Sequence, residues 1–131
     1  MFIRGDDMNT EHTKKLVTDF PDLYEQVNWG MQDTAMCWGF DVDDGWFNLI
    51  YNLSAKIVKA DPKARATQVK EKYGELSFYI SAYEGEVFDL VNEAEDASTT
   101  ICEVCGKEGT IRGKSWLKTL CKDCATELNY A

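Results

Sequence analysis

The sequence is short of histidine, of proline and of uninterrupted apolar stretches, and each shortage removes a class of reading. Its one histidine, His12, lies far upstream of the paired cysteines. Zinc-dependent deamination needs a metal-binding His with a nearby Glu ahead of the cysteine pair, so that chemistry is undercut, and His12 reads as a solvated side chain on a helix surface. Cys37 has no histidine to activate it and reads as a small buried apolar side chain. No glycine-rich phosphate loop, serine triad or basic aromatic strip occurs, which weighs against an enzyme without excluding one. No apolar run approaches the roughly 18 to 20 residues that span a bilayer, and the opening MFIRGDDMNTEHTKK lacks the apolar stretch of a signal peptide. The expectation is a soluble, cytoplasmic chain with no membrane partner. There is no internal repeat, biased segment or Gly/Ser/Pro-rich linker.

Basic charge is also scarce. Fourteen Lys and Arg stand against 23 Asp and Glu, a formal net charge of −9 that repels nucleic acid at long range unless a basic patch is segregated. Residues 1–100 carry nine bases and nineteen acids, and residues 101–131 carry five bases and four acids. The tail is only mildly basic.

What is present is enough to build a core, with 44% apolar and 12% aromatic residues in 131. Asn9 or Thr10 can cap a first helix whose apolar side is Leu16, Val17 and Phe20, ended by Pro21. A short helical turn over 22–26 and an irregular segment over 27–44 follow. Within it, Trp29, Met31, Met36, Trp38 and Phe40 read first as core and second as a binding surface. Asp44 is placed to cap the clearest helix, about 45–59, with Trp46, Phe47, Ile50, Leu53 and Ile57 at three- and four-residue spacings. Asp61-Pro62 stops it. Residues 67–81 read as a hairpin turning at Tyr73-Gly74, with Leu76, Phe78 and Ile80 alternating on one face and Lys70, Glu71 and Lys72 serving cross-strand pairing or edge protection. Residues 85–98 return to helical spacing through Val87, Phe88, Val91, Ala94 and Ala97. Glu84, Glu86, Glu93, Glu95 and Asp96 read as the solvated face of that helix rather than as acid–base groups. Asp41, Asp43, Asp44 and Gly45 resemble the start of a calcium loop, but the glycine comes one place early and Asn52 stands where the required Glu belongs.

The strongest motif is Cys102-x2-Cys105-x15-Cys121-x2-Cys124. In a reducing compartment paired cysteines point to metal rather than disulfides, and this spacing fits a zinc site. Four thiolates suit tetrahedral zinc, and they fill every position, so the ion holds shape and leaves no place for water or substrate. Iron–sulfur, rubredoxin-like iron and thioredoxin-like redox readings use the same residues and stay as minor alternatives. Gly106 can take the positive φ of a tight knuckle, and Gly113 can turn the strand-like stretch 110–120. Cys121 and Cys124 open a short terminal helix, where free amides and the helix dipole favour thiolates. Knuckle, hairpin and helix is the order of a treble clef; a zinc ribbon is the close alternative. With zinc bound to four thiolates the tail comes to about −1, so its bases mostly offset the metal site. Trp116 and Leu120 are expected to pack this module onto the body.

The order CWGF, DDGWFNLI, QVKEKYGELSFY and CEVCGKEGTIRGKSWLKTLCKDC resembles a group of small uncharacterised phage and prophage proteins, over about residues 10–124. In that pattern Gly-Asp-Gly-Trp opens the central helix. This chain has Asp43 in place of the first Gly, Tyr73 in place of Phe, and Glu75 and Ser77 where Gly and a basic residue stand. The resemblance implies a phage-encoded protein acting inside a bacterial host, with no activity attached.

Together these readings predict an α+β fold: a body over 1–99, helices packed on a β-hairpin, and a treble-clef-like four-cysteine zinc module over 100–131. The expected function is a zinc-stabilised, non-enzymatic interaction protein, a phage accessory factor that binds or modulates a host protein. The alternatives are nucleic-acid binding through Arg112, Lys114, Lys118 and Lys122 of the zinc module, or acidic mimicry of nucleic acid.

Overall fold

A computed structural model describes residues 8–30, 34 and 36–130; Met31 and the side chain of Trp38 lie outside the described part. The architecture is mixed α and β. Helix α1 (Thr10–Asp19) opens under an Asn9 cap whose side chain accepts the His12 amide at 2.8 Å. After a 3₁₀ turn at Glu25–Asn28 and another at Met36–Trp38 come strand β1 (Phe40–Asp41), helix α2 (Phe47–Ala60), strands β2 (Arg65–Lys72) and β3 (Glu75–Ser81), and helix α3 (Gly85–Ser98). Strands β4 (Thr110–Arg112) and β5 (Lys118–Leu120) and helix α4 (Lys122–Glu127) complete the chain.

The hairpin β2–β3 is antiparallel and turns at Tyr73-Gly74, as the sequence predicts, and β1 adds to β2 in parallel to give the order β1-β2-β3. That places Lys70 in a central strand, where it pairs with Asp41 on one side and Ser77 on the other. Only the cross-strand part of the reading for Lys70, Glu71 and Lys72 holds, with Lys72 opposite Glu75. On the outer edge of β3, the amides of Leu76 and Phe78 donate to Ser98 Oγ and Glu95 Oε2 of α3, both at 2.9 Å. Glu95 is therefore not part of a solvated face: it is half-buried, and burial raises its carboxyl pKa against the pull of the Phe78 amide.

The main core gathers Leu16, Tyr24, Met36, Val42, Trp46, Ile50, Ile57 and Val69, all fully buried. The buried phenol of Tyr24 is satisfied, since its Oη lies 2.6 Å from Ser54 Oγ, which bonds Ile50 O at 2.7 Å. Of the aromatic segment, Met36 and Phe40 are core and Trp29 is 45% exposed. Cys37 is half-buried, its thiol donating to Thr34 O at 3.3 Å. Phe88, expected on the inner face of α3, stands exposed, because Val87, Val91, Ala94 and Ser98 define that face.

Two polar residues differ from expectation for the same reason. Asp43, not Asp44, caps the turn Asp44–Trp46 that leads into α2, accepting the Asp44 amide at 2.8 Å. Asp44 Oδ1 instead takes the Asn9 amide at 2.8 Å and His12 Nδ1 at 3.1 Å. His12 also stacks on Phe47, ring centroids 4.0 Å apart, so it pins α1 to the start of α2 while its side chain stays partly exposed, and it is not free in solvent.

Asp61 closes α2. Its carboxylate accepts the amides of Tyr83 (2.7 Å), Glu84 (3.1 Å) and Lys63 (3.0 Å), and the Tyr83 bond chiefly holds its pKa below the ordinary value. A lowered carboxylate pKa stabilises above the unfolded-state value and loses that contribution as pH falls through the folded value. The melting-temperature gap between the native protein and Asp61→Asn is therefore expected to be full near neutrality and to close below about pH 4. A gap that ignores pH would contradict this.

Candidate metal centre

Four thiols converge at the C-terminal end. Cys102 and Cys105 lie on the knuckle after α3, Cys121 is the N-cap residue of α4, and Cys124 sits in its first turn. Their sulfurs all lie within 4.8 Å of one another, and Cys105 Sγ and Cys121 Sγ are 3.6 Å apart. A disulfide requires about 2.05 Å, whereas sulfurs at tetrahedral corners about 2.3 Å from zinc lie about 3.8 Å apart, so the spacing suits a shared ion.

Local structure explains the convergence. Gly106 takes φ +83°, which lets its amide return to Cys102 O at 2.9 Å and close the knuckle, while Cys102 N bonds Lys107 O at 2.7 Å. Antiparallel β4–β5 then carries the chain back, and Gly113 takes φ +104° in the connection. At the start of α4 the Cys124 amide donates to Cys121 Sγ at 3.4 Å and pulls that thiol down to about 7. Cys124 and Cys105 are pushed up, burial first and neighbouring sulfurs next. One site thus favours a thiolate while the crowded cluster resists four, and a divalent cation removes that conflict.

The cluster is fixed to the body by polar contacts that the sequence does not announce. Glu103, between the first two cysteines, is fully buried. Its carboxylate accepts the Asp43 amide at 3.0 Å and the Lys118 ammonium at 3.1 Å, and its carbonyl accepts the Gly45 amide at 2.6 Å. Burial pushes the Glu103 carboxyl up to about 7 against the pull of Lys118. Thr119 Oγ1 donates to Gly74 O at 2.5 Å, and Trp46 Nε1 donates to Ile101 O at 2.8 Å. A Cβ at Gly45 would collide with the carbonyl oxygens of Cys102 and Glu103. Since neither backbone atom can swing aside, Gly45→Ala should lower stability by about 1–3 kcal/mol or more, read as an earlier denaturant midpoint. An unchanged midpoint would mean that this close approach is relaxed in solution.

Other sequence candidates are placed differently. Trp116, expected to dock the module, is 72% exposed, while Leu120 is fully buried among the cysteines. Of the proposed nucleic-acid residues, Lys114 and Lys122 are exposed, but Arg112 Nε bonds Leu120 O at 3.0 Å and Lys118 turns to Glu103. Asp43 and Asp44 serve as helix-start and helix-pinning acceptors rather than as part of a calcium loop. Among the described residues no helix is long and apolar enough to cross a membrane. Against protein-family models, curated proteins and solved structures, the chain has no match.

Proposed function

We propose that the chain is a non-enzymatic interaction protein whose C-terminal module is held by one structural zinc ion in a treble-clef-like arrangement. The observation that carries this is the four-sulfur cluster, in which two distant segments bring four sulfurs within 4.8 Å of one another, the number of ligands that a structural zinc takes. Thiolates favour zinc over hard cations, and a full set of protein ligands suits an ion that shapes the chain. Knuckle, hairpin and a ligand-bearing helix start support the treble clef over the ribbon, since Cys121 and Cys124 belong to α4 and not to a second knuckle. The phage accessory role rests on the sequence resemblance, and a host protein is the partner it implies.

Two measurements test this reading. Metal analysis of the purified protein is expected to give one equivalent of zinc; iron in its place would make the site a rubredoxin-like one, and no metal at all would remove the module's rationale. Pull-down from bacterial lysate with the metal-loaded chain is expected to recover a specific host protein. Recovery of none above background, across growth and infection conditions, would count against the accessory role.

A further inference from the structure

The tips of the two hairpins lie side by side and present groups that the fold itself does not need. Tyr73 and Gly74 join β2 to β3 with φ +55° and +83°, the primed turn in which Asn-Gly or Asp-Gly is the natural pair. A tyrosine there is unfavourable on two counts. Left-handed backbone is a steric outlier for a bulky side chain, and the residue stands 71% exposed. Trp116, in the β4–β5 connection and 72% exposed, lines with Tyr73 a groove of about 260 Å³ that also takes in Lys72 and Leu117. Ile111, itself 46% exposed, lies beside this patch, since its Cγ2 would be 3.5 Å from a Cβ on Gly74. Strain and exposed aromatics together in one place, on adjoining tips, mark a surface kept for contact rather than for stability.

Charge indicates what the contact takes. Of the four bases between Glu108 and Asp123, Arg112 and Lys118 are turned to internal partners, so the exposed lysines at these tips are Lys114 and, from the neighbouring hairpin, Lys72. The Lys72 ammonium lies 5.7 Å from the Tyr73 ring centroid, and Lys114 is exposed in the Trp116 loop. Glu71, the acid that lines the groove, is committed to the Gly74 amide at 2.7 Å. We infer that this groove docks a polypeptide segment of a partner protein, seating one large apolar side chain between Tyr73 and Trp116 and placing flanking carboxylates on Lys72 and Lys114. The inference rests on the interaction-protein reading and assigns its surface and the chemistry of its partner.

Nucleic acid fits this surface less well. A tracked strand needs a line of free cations, and Arg112 and Lys118 are turned to internal partners. A polyanion would also extend past the roughly 8 Å over which charge is screened and meet the acidic body, whereas a short acidic segment is governed by the local lysines.

The test is a random peptide library selected on the metal-loaded full chain, counter-selected on a Tyr73→Asn/Trp116→Ala double variant. Selected peptides are expected to carry an apolar anchor flanked by Asp or Glu. Each single substitution should weaken their binding roughly thirtyfold, as the loss of an aromatic hot spot does. Tyr73→Asn should at the same time melt at or above the native temperature, because asparagine suits the turn, an outcome that a purely structural tyrosine would not give. No enrichment over the counter-selection, enrichment of basic sequences, or a lower melting temperature for Tyr73→Asn would overturn the proposal. Binding of single-stranded oligothymidylate that both substitutions abolish would replace the polypeptide with nucleic acid. A host protein that the double variant still captures would refute this surface while leaving the interaction-protein reading intact.

Discussion

A strong chelator is expected to unfold the C-terminal module of the purified protein before the body. Structural zinc in small modules contributes about 10–16 kcal/mol of apparent binding free energy, against about 5–15 kcal/mol for the whole stability of a typical domain. Polar contacts tie the module to the body, but its own apolar core is small. Apart from its cysteines its apolar cluster holds Leu120 and Ala125, with Val104 and Tyr130 packed at its margin. So small a core does not hold a chain segment of this length on its own. Hydrogen exchange should therefore show loss of protection at Glu103 and Cys124 while the Ile50 and Ile57 amides of α2 stay protected. Cys124→Ser should reproduce the effect without chelator, because a hydroxyl is a poor substitute for a thiolate ligand. Melting and protease resistance that survive complete metal removal would refute the structural role of the ion.

Above about pH 7, where the Glu103 carboxyl is ionised, Glu103→Ala should lower stability by about 3–5 kcal/mol, the range found when one partner of a buried ion pair is removed. The substitution takes an acceptor from the Asp43 amide and from the Lys118 ammonium at once, at a position that is itself fully buried. Glu103→Gln should cost less, since its carbonyl oxygen can still serve the Asp43 amide. A double-mutant cycle with Lys118→Met, read by denaturant titration at fixed zinc, separates the ion pair from the amide contact. A loss under about 1 kcal/mol for Glu103→Ala would mean that the junction is solvated rather than buried.

These two expectations differ in how much of their basis can be read from the sequence. The cysteine cluster is legible because ligand spacing is local: two residues between paired sulfurs and a helix start at the second pair already confine the geometry. Helices α1, α2 and α3 are legible from apolar spacing and from Pro21 and Asp61-Pro62, and Tyr73-Gly74 marks the hairpin. Glu103 is different. In sequence it is one more acid between two cysteines, and its burial depends on an amide sixty residues away and an ammonium fifteen away. The same holds for His12, whose partners Asp44 and Phe47 come from another helix start, and for Trp116, whose exposure no periodicity foretells. Gly45 belongs with these: in sequence it reads as a helix start and a misplaced calcium-loop glycine, and its close approach to the Cys102 and Glu103 carbonyls appears only once the two segments are folded together.

The pairing of Ser98 and Glu95 with the margin of β3 also bears on how the protein behaves when crowded. A strand whose outward amides are open is a template on which other chains can add, and from there grow aggregates. Here alternate amides of β3 are already occupied by side chains from α3, so a foreign strand would first have to displace a helix, and Ser98→Ala with Glu95→Ala would expose a seam for self-association that the native molecule keeps closed.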